Sequence, residues 1–265
     1  MRLQKKQKEI IFKDLKKPYG RSINRKGCKM AYTKRPDGRK FDETRPIRAE
    51  VGVIPNADGS ALFAFGKTIA IAAVYGPKQL HPQHMQDPER GIIRCNYNML
   101  PFSVTERARP GPNRRSKEIG MVSGNALASV VDLSRFPSAV IDVEINIIQA
   151  DASTRCAGIN AAAMALAHAG VVMREMVASV SIGKIDDKIV VDVDKEEEDY
   201  KDGEGSTDIP FTLTSRGNEV AHLQLDGYIQ LDRVKEAYDA AKGSCEKIND
   251  IMKRALKGEK INEGK

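Results

Sequence analysis

The stretch "AVIDVEINIIQADASTRCAGINAAAMALAHAG", Ala139 to Gly170, constrains the fold more than any other part of the chain. It opens by alternating Val143, Ile145 and Ile147 against Asp142, Glu144 and Asn146, the period of a strand with one wet face. The strand ends at about Gln149, and an Ala-rich helix begins by about Cys156 and stops at Gly170. The same vocabulary recurs on both sides. "RAEVGVI", "ALFAFG" and "KTIAIAAVYG" read as strands, and Asp58-Gly59 is expected to close a hairpin because glycine tolerates positive φ. "GIIRCNYNMLPF" reads as another strand, and apolar residues at Ile119, Val122, Ala126, Leu127, Val130 and Val131 mark one buried helix face. Two more hairpins are expected to turn at Asp186-Asp187 and at Arg216-Gly217-Asn218, and an amphipathic helix runs from Asp232 to Lys257, ending at Gly258. Hairpins and helices interleave without strict βαβ alternation. That predicts an α+β fold, with helices packed on mixed sheets.

At 265 residues and 41% apolar content the chain can bury a large core. Its longest apolar runs, such as "IAIAAVY", fall far short of the roughly 20 residues of a spanning helix, and the N-terminal "IIF" is too short for a secretory signal. A cytoplasmic location is therefore expected. The four cysteines, Cys28, Cys95, Cys156 and Cys245, form no CxxC pair and read as reduced, mostly buried thiols. The net charge of +7 misleads if spread over the whole chain. Residues 1–29 hold eleven Lys or Arg against two acids, so the remainder is slightly acidic. Any claim on nucleic acid must then rest on local clusters. The expected organisation is a basic, disordered extension over 1–29, one catalytic domain over 30–258 and a short tail over 259–265.

Three places carry chemistry. In "QADASTRCAGINAAAMAL", Ser153 and Thr154 sit where N-cap hydroxyls belong, and the amides of a helix start form an anion cradle that Arg155 strengthens with its forked donors. In "PGPNRRSKEIG", Asn113 is a plausible N-cap, which puts Arg114 and Arg115 in a first turn where cations oppose the helix dipole. An anion nearby would offset that; solvated surface arginines are the plain alternative. The third is "VVDVDKEEEDYKDGEGSTD", with nine carboxylates in nineteen residues. Charge runs are usually solvated, but Asp192 ends a core strand and is rigid enough to hold a divalent ion or protonate a leaving alkoxide.

Taken in order, "KRPDGRKFDETRPI", "AVYGPKQLHPQH", "PFS" with "NRRSKEI", "QADASTRCAGINAAAMALAHAG", and "VVDVDKEEED" with "TDIP" resemble the RNase PH family of phosphate-dependent exoribonucleases, most closely its archaeal-exosome branch. The likeness runs from about Met30 to Gly258. It implies an RNase PH-like (ribosomal protein S5 domain 2-like) fold and removal of nucleotides from RNA 3′ ends as nucleoside diphosphates, with the reverse reaction adding RNA tails. Arg114 and Arg115 match the pair that holds RNA phosphates. Ser153, Thr154 and Arg155 match the loop that binds inorganic phosphate, the co-substrate. Asp192 and Asp199 match the essential acids, which would serve as proton donors or hold Mg2+ or Mn2+. The family usually spaces these acids six apart; six beyond Asp192 is Glu198, so Glu198 and Asp199 both stay open. It also tends to have Gly where Ser153 stands, which matters if that position needs positive φ. The implied partners are RNA, a related inactive RNase-PH-type subunit in a hexameric ring of three heterodimers, and RNA-binding cap subunits. The alternatives are a homohexameric tRNA 3′-trimming enzyme and a non-catalytic, RNA-binding ring subunit.

Overall fold

The computed structural model describes residues 32–201, 203 and 205–262. The expected extension over 1–29, and Cys28 with it, lies outside the described residues. Strands β1 (Ile47–Val51), β2 (Gly59–Phe65), β3 (Thr68–Gln79), β4 (Ile92–Met99), β5 (Ala139–Gln149) and β10 (Ile261–Asn262) form a six-stranded sheet in the order β10-β1-β2-β3-β5-β4. Strands β6 (Val177–Ile185), β7 (Lys188–Val191), β8 (Ser206–Thr214) and β9 (Val220–Leu223) form a second sheet in the order β7-β6-β8-β9. Every pairing is antiparallel except β4 with β5. That pair can be parallel because helix α1 (Arg114–Ala128) supplies the long crossover between them. Helices α2 (Thr154–His168), the single turn α3 (Lys195–Glu198) and α4 (Leu231–Leu256) complete the α+β architecture.

Helix α2 is the centre of the core. Twelve of its residues are buried, because it packs against β2 and β3 on one side and β6 on the other. Its run of alanines makes this possible: side chains no larger than methyl let the backbone approach sheets on two sides. The approach is closest at Gly59, where an added Cβ would lie 2.3 Å from the Ala165 carbonyl. Gly59 is therefore small for packing and already belongs to β2. The β1–β2 turn takes its positive φ at Gly52 instead, +74°, which corrects the expected role of Gly59. The Asp186-Asp187 turn forms as expected between β6 and β7, with Asp186 at φ 50°. Gly120 and Gly124 do for α1 what alanine does for α2, bringing its backbone down onto Cys95 of β4.

Helix α4 buries Ala237, Ala241, Cys245, Ile248 and Met252 against β6, and Gly258 ends it at φ +93°. Past Gly258 the chain turns back. Ile261, 5% exposed, pairs with Ala49 and extends the first sheet by one strand, so apolar burial draws part of the 259–265 segment into the domain. Cys95, Cys156 and Cys245 are free thiols, the last two buried. Among the described residues no helix is long and apolar enough to cross a membrane.

Candidate active site

A cavity of about 610 Å³ opens where the starts of α1 and α2 meet the β8–β9 sheet edge and the Val104–Glu106 loop. Arg115, Ser153, Thr154 and Arg155 all line it, so two distant parts of the sequence converge as the cradle chemistry requires. Arg114, its neighbour, is exposed and outside the lining. Asn113 caps α1 as expected: its Oδ1 accepts from Ser116 N at 2.7 Å while its own N donates to Ser116 Oγ at 2.9 Å. That reciprocal cap fixes the helix start from which Arg115 projects.

The start of α2 is built differently. Ala152 and Ser153 take left-handed conformations, φ 53° and 52°, at the position where resemblance raised the question of glycine. Such conformations cost non-glycine residues of order 1–3 kcal/mol each and persist only where the surroundings impose them. Here Thr68 Oγ1 donates to the Asp151 and Ala152 carbonyls, 2.8 Å in each case, and takes a bond from Asp151 N at 3.0 Å. Ser153 makes no cap bond to its own helix, contrary to the expected N-cap role. Its hydroxyl instead donates to the Val193 carbonyl at 3.0 Å and lies 3.2 Å from Asp192 Oδ1. The positive end of the α2 dipole therefore faces the cavity without a capping side chain. Arg155 donates from Nη2 to Glu118 at 3.2 Å, while its buried Nη1 finds no acceptor among the described residues. A buried guanidinium nitrogen left unpaired is costly unless an anion completes it.

The acidic segment departs from expectation at Asp192, Asp199 and Glu197. Asp192 is fully buried and does not line the cavity. Its Oδ2 accepts from Arg45 N at 2.8 Å and Nε at 2.9 Å, and its Oδ1 accepts from Arg45 Nη2 at 2.7 Å. Burial opposes its ionised form, but the charge and hydrogen bonds of Arg45, with the charge of Arg39, outweigh that and hold its carboxyl below the ordinary value. Asp192 itself takes a left-handed φ of 56° just past the end of β7. Asp199 has a side chain 62% exposed and pairs with Lys195 at 3.1 Å, also outside the lining. A divalent ion held jointly by Asp192 and Asp199 does not fit, since one carboxylate is saturated by a guanidinium and the other faces solvent. Glu197, expected in water with its neighbours, is 1% exposed and locked to Arg35.

Glu198 does line the cavity, and so does Asp208, which sequence reasoning left without a role. Asp208 sits in β8 and takes a hydrogen bond from Ser181 Oγ. Burial, reinforced by the charges of Glu198 and Asp226, pushes its carboxyl up to about 6 against the opposing influence of Ser181 and Arg155. The available signal was its strand setting: "TDIPFTL" alternates Asp208 against Ile209, Phe211 and Leu213, which puts a carboxylate on the opposite face of a core strand, rigid in the way proposed for Asp192. Behind Arg155, His222 of β9 is pushed down to about 4 by burial and by that arginine's charge, so it is neutral near pH 7.

The chain belongs to the 3′ exoribonuclease family. Domain 1 of that family matches residues 43–172 and domain 2 matches residues 175–244. Among curated proteins, the chain is 49% identical over 224 residues to the "Exosome complex component Rrp41" of Thermococcus kodakarensis, covering 84% of this chain and 88% of that one. It is 45% identical over 223 residues to the same component of Methanopyrus kandleri, covering 84% and 92%. Among solved structures, rice Rrp46 superposes with a TM-score of 0.74 at 23% identity, over 84% of this chain and all of that one. An Archaeoglobus fulgidus exosome with RNA bound to the active site gives 0.70 at 24% identity, over 82% and 92%. At those identities the structural likeness is one of fold.

Proposed function

We propose that this chain is the catalytic subunit of an archaeal-type exosome, a phosphate-dependent 3′-to-5′ exoribonuclease that releases nucleoside diphosphates and can run in reverse to extend RNA ends. The observation that carries the reading is the convergence of Arg115, Thr154, Arg155 and Asp208 on one cavity. Phosphorolysis brings inorganic phosphate against an anionic phosphodiester, and two like-charged groups approach to bonding distance only between fixed cations and amides. The uncapped start of α2 and the unpaired Nη1 of Arg155 suit the free phosphate. Arg115, with Arg114 at the rim, suits the backbone of the RNA. A phosphate oxygen attacks phosphorus, the bond to the 3′-oxygen breaks, and that oxygen takes a proton. The donor in this reading is Asp208, whose carboxyl is near 6 and keeps a usable protonated fraction close to neutrality. The charge of Glu198 helps hold the proton there.

The reading includes RNA as substrate and a hexameric ring of three heterodimers with a related inactive RNase-PH-type subunit, capped on one face by RNA-binding subunits, in the cytoplasm. The near-50% identity to archaeal exosome components supports that setting. The test is to incubate the chain, with and without the related subunit, with a labelled oligoribonucleotide. Nucleoside diphosphates should appear only when phosphate is supplied. Full activity of the chain alone as a homohexamer would favour the tRNA-trimming alternative, and shortening without phosphate would overturn the reading.

A further inference from the structure

We propose that the buried Arg45–Asp192 pair is a positioning device for the phosphate cradle, so that Asp192 acts on the reaction through Ser153 and not by touching substrate. The inference rests on the reading of the cavity as a phosphorolytic site. Arg45 reaches both sides of the cradle's support. One edge of its guanidinium grips the Asp192 carboxylate, and Nη1 donates to the carbonyl of Asp151, the residue that opens the left-handed turn. Asp192 in turn faces Ser153 Oγ at 3.2 Å. The pair thus ties the first and last residues of the Asp151–Ser153 turn to the end of β7, with Thr68 holding the turn's carbonyls from β3. Two consecutive non-glycine residues at φ near 50° persist only where such bonds over-determine them.

The tie has a chemical consequence beyond rigidity. A serine at the start of a helix ordinarily turns its oxygen onto the first-turn amides. Here the Val193 carbonyl and the Asp192 carboxylate both compete for the hydroxyl proton and pull Ser153 Oγ the other way. The first-turn amides of α2 are then left for an incoming anion. Without Asp192 only the Val193 carbonyl holds the hydroxyl, and the serine can more readily swing round and cap its own helix, closing the cradle against phosphate while leaving Arg114, Arg115 and the RNA path in place.

The experiment compares wild type, Arg45→Lys, Asp192→Asn and the double variant Arg45→Met with Asp192→Leu, each assembled with the related ring subunit. Initial rates of nucleoside diphosphate release are taken across inorganic phosphate concentrations, with RNA retention and thermal midpoint measured on the same samples. The double variant removes both buried charges together, a change often neutral for stability, so it is the one expected to stay folded. In it the KM for phosphate should rise about 10- to 100-fold, the scale on which losing an orienting partner weakens metal-binding side chains. RNA retention should not change, and kcat at saturating phosphate should fall less than KM rises. Arg45→Lys, which keeps the charge but loses the fork, should shift KM in the same direction and by less. An unchanged phosphate KM in folded Arg45→Lys or in the double variant assigns the pair to stability alone and overturns the inference. Loss of kcat with KM unchanged would return Asp192 to direct catalysis, which also overturns it. Phosphate-independent product release by the wild type would instead remove the functional reading itself, and this inference with it.

Discussion

Arg35 sets its guanidinium edge-on against Glu197, Nε to Oε1 and Nη2 to Oε2, both at 2.8 Å, with neither side chain exposed. Tyr32 adds its hydroxyl to the same carboxylate at 2.7 Å, and Arg35 also donates to the Val191 and Asp192 carbonyls. The start of the domain thereby staples the acidic segment in place. Removing one partner strands the other's charge in a buried site, so Glu197→Ala should destabilise the fold by about 3–5 kcal/mol. Exposed Glu196→Ala should stay within about 0.5 kcal/mol. Urea-unfolding midpoints of the two variants, read side by side, check the contrast.

Asp208 should make both the rate and its own contribution to stability fall as pH rises through about 6. Its folded pKa, about 6, lies above the ordinary 3.8, so the stability it contributes is present at pH below 3.8 and lost as pH rises through 6. Asp208→Asn should therefore be more stable than wild type above pH 6, by roughly 1–3 kcal/mol, and no more stable near pH 3.5. As proton donor, the wild type should show a rate limb that declines as pH rises through about 6 with phosphate saturating. The same substitution should remove that limb and lower the rate by about 10²- to 10⁴-fold while RNA is still retained. A variant that loses stability at pH 8, or keeps its rate, would contradict the assignment.

Asp199→Asn should be nearly silent. Its partner Lys195 is itself over half exposed, and exposed ion pairs contribute about 0–1 kcal/mol. Phosphorolysis within about threefold of wild type is expected, and a loss comparable to that of Asp208→Asn would restore Asp199 to the site.

What the sequence made legible was local. The alternation of β5, the alanine run of α2, the cap at Asn113 and the hairpin at Asp186-Asp187 each declare themselves within a few residues, because period and turn chemistry act at short range. The start of α2 at Thr154 was legible for the same reason, since its residues are adjacent in the chain. The acids were not. Whether a carboxylate of the run meets the cavity, solvent or an arginine is decided by Arg35, Arg39 and Arg45, about 150 residues earlier, and by a left-handed turn at Asp192, a conformation Asp tolerates but that nothing local picks out among the acids of the run. Gly59 misled likewise, since a turn-like pair was in fact a point of close packing on α2, 106 residues on.

That packing gives a direct test. Gly59 has no unusual φ, so alanine there meets no backbone penalty, only the Ala165 carbonyl at 2.3 Å and Ala169 at 2.5 Å. Gly59→Ala should destabilise by about 1–3 kcal/mol through overpacking of α2 against β2. Gly258→Ala, where an added Cβ meets nothing within 4 Å, should instead register only the strain of φ +93°. Thermal unfolding of both variants separates crowding from conformation.

The arginines at the start of α1 divide by position, and their charge should be readable in salt dependence. Arg115 lines the cavity and Arg114 stands exposed beside it, on a first turn with no acidic residue to offset the helix dipole. If both neutralise RNA phosphates, reversing them with Arg114→Glu and Arg115→Glu should weaken RNA retention and flatten the slope of log affinity against log salt, by about 0.7 for each single-strand phosphate that is no longer neutralised. Arg115→Glu alone should also reduce turnover, because its side chain acts within the cavity where the reacting phosphates meet, whereas Arg114→Glu alone should act mainly on retention. Filter binding of a labelled oligoribonucleotide across a salt series measures the first effect, and single-turnover phosphorolysis the second. Unaltered affinity at low salt in the double variant would return both side chains to ordinary solvated surface arginines.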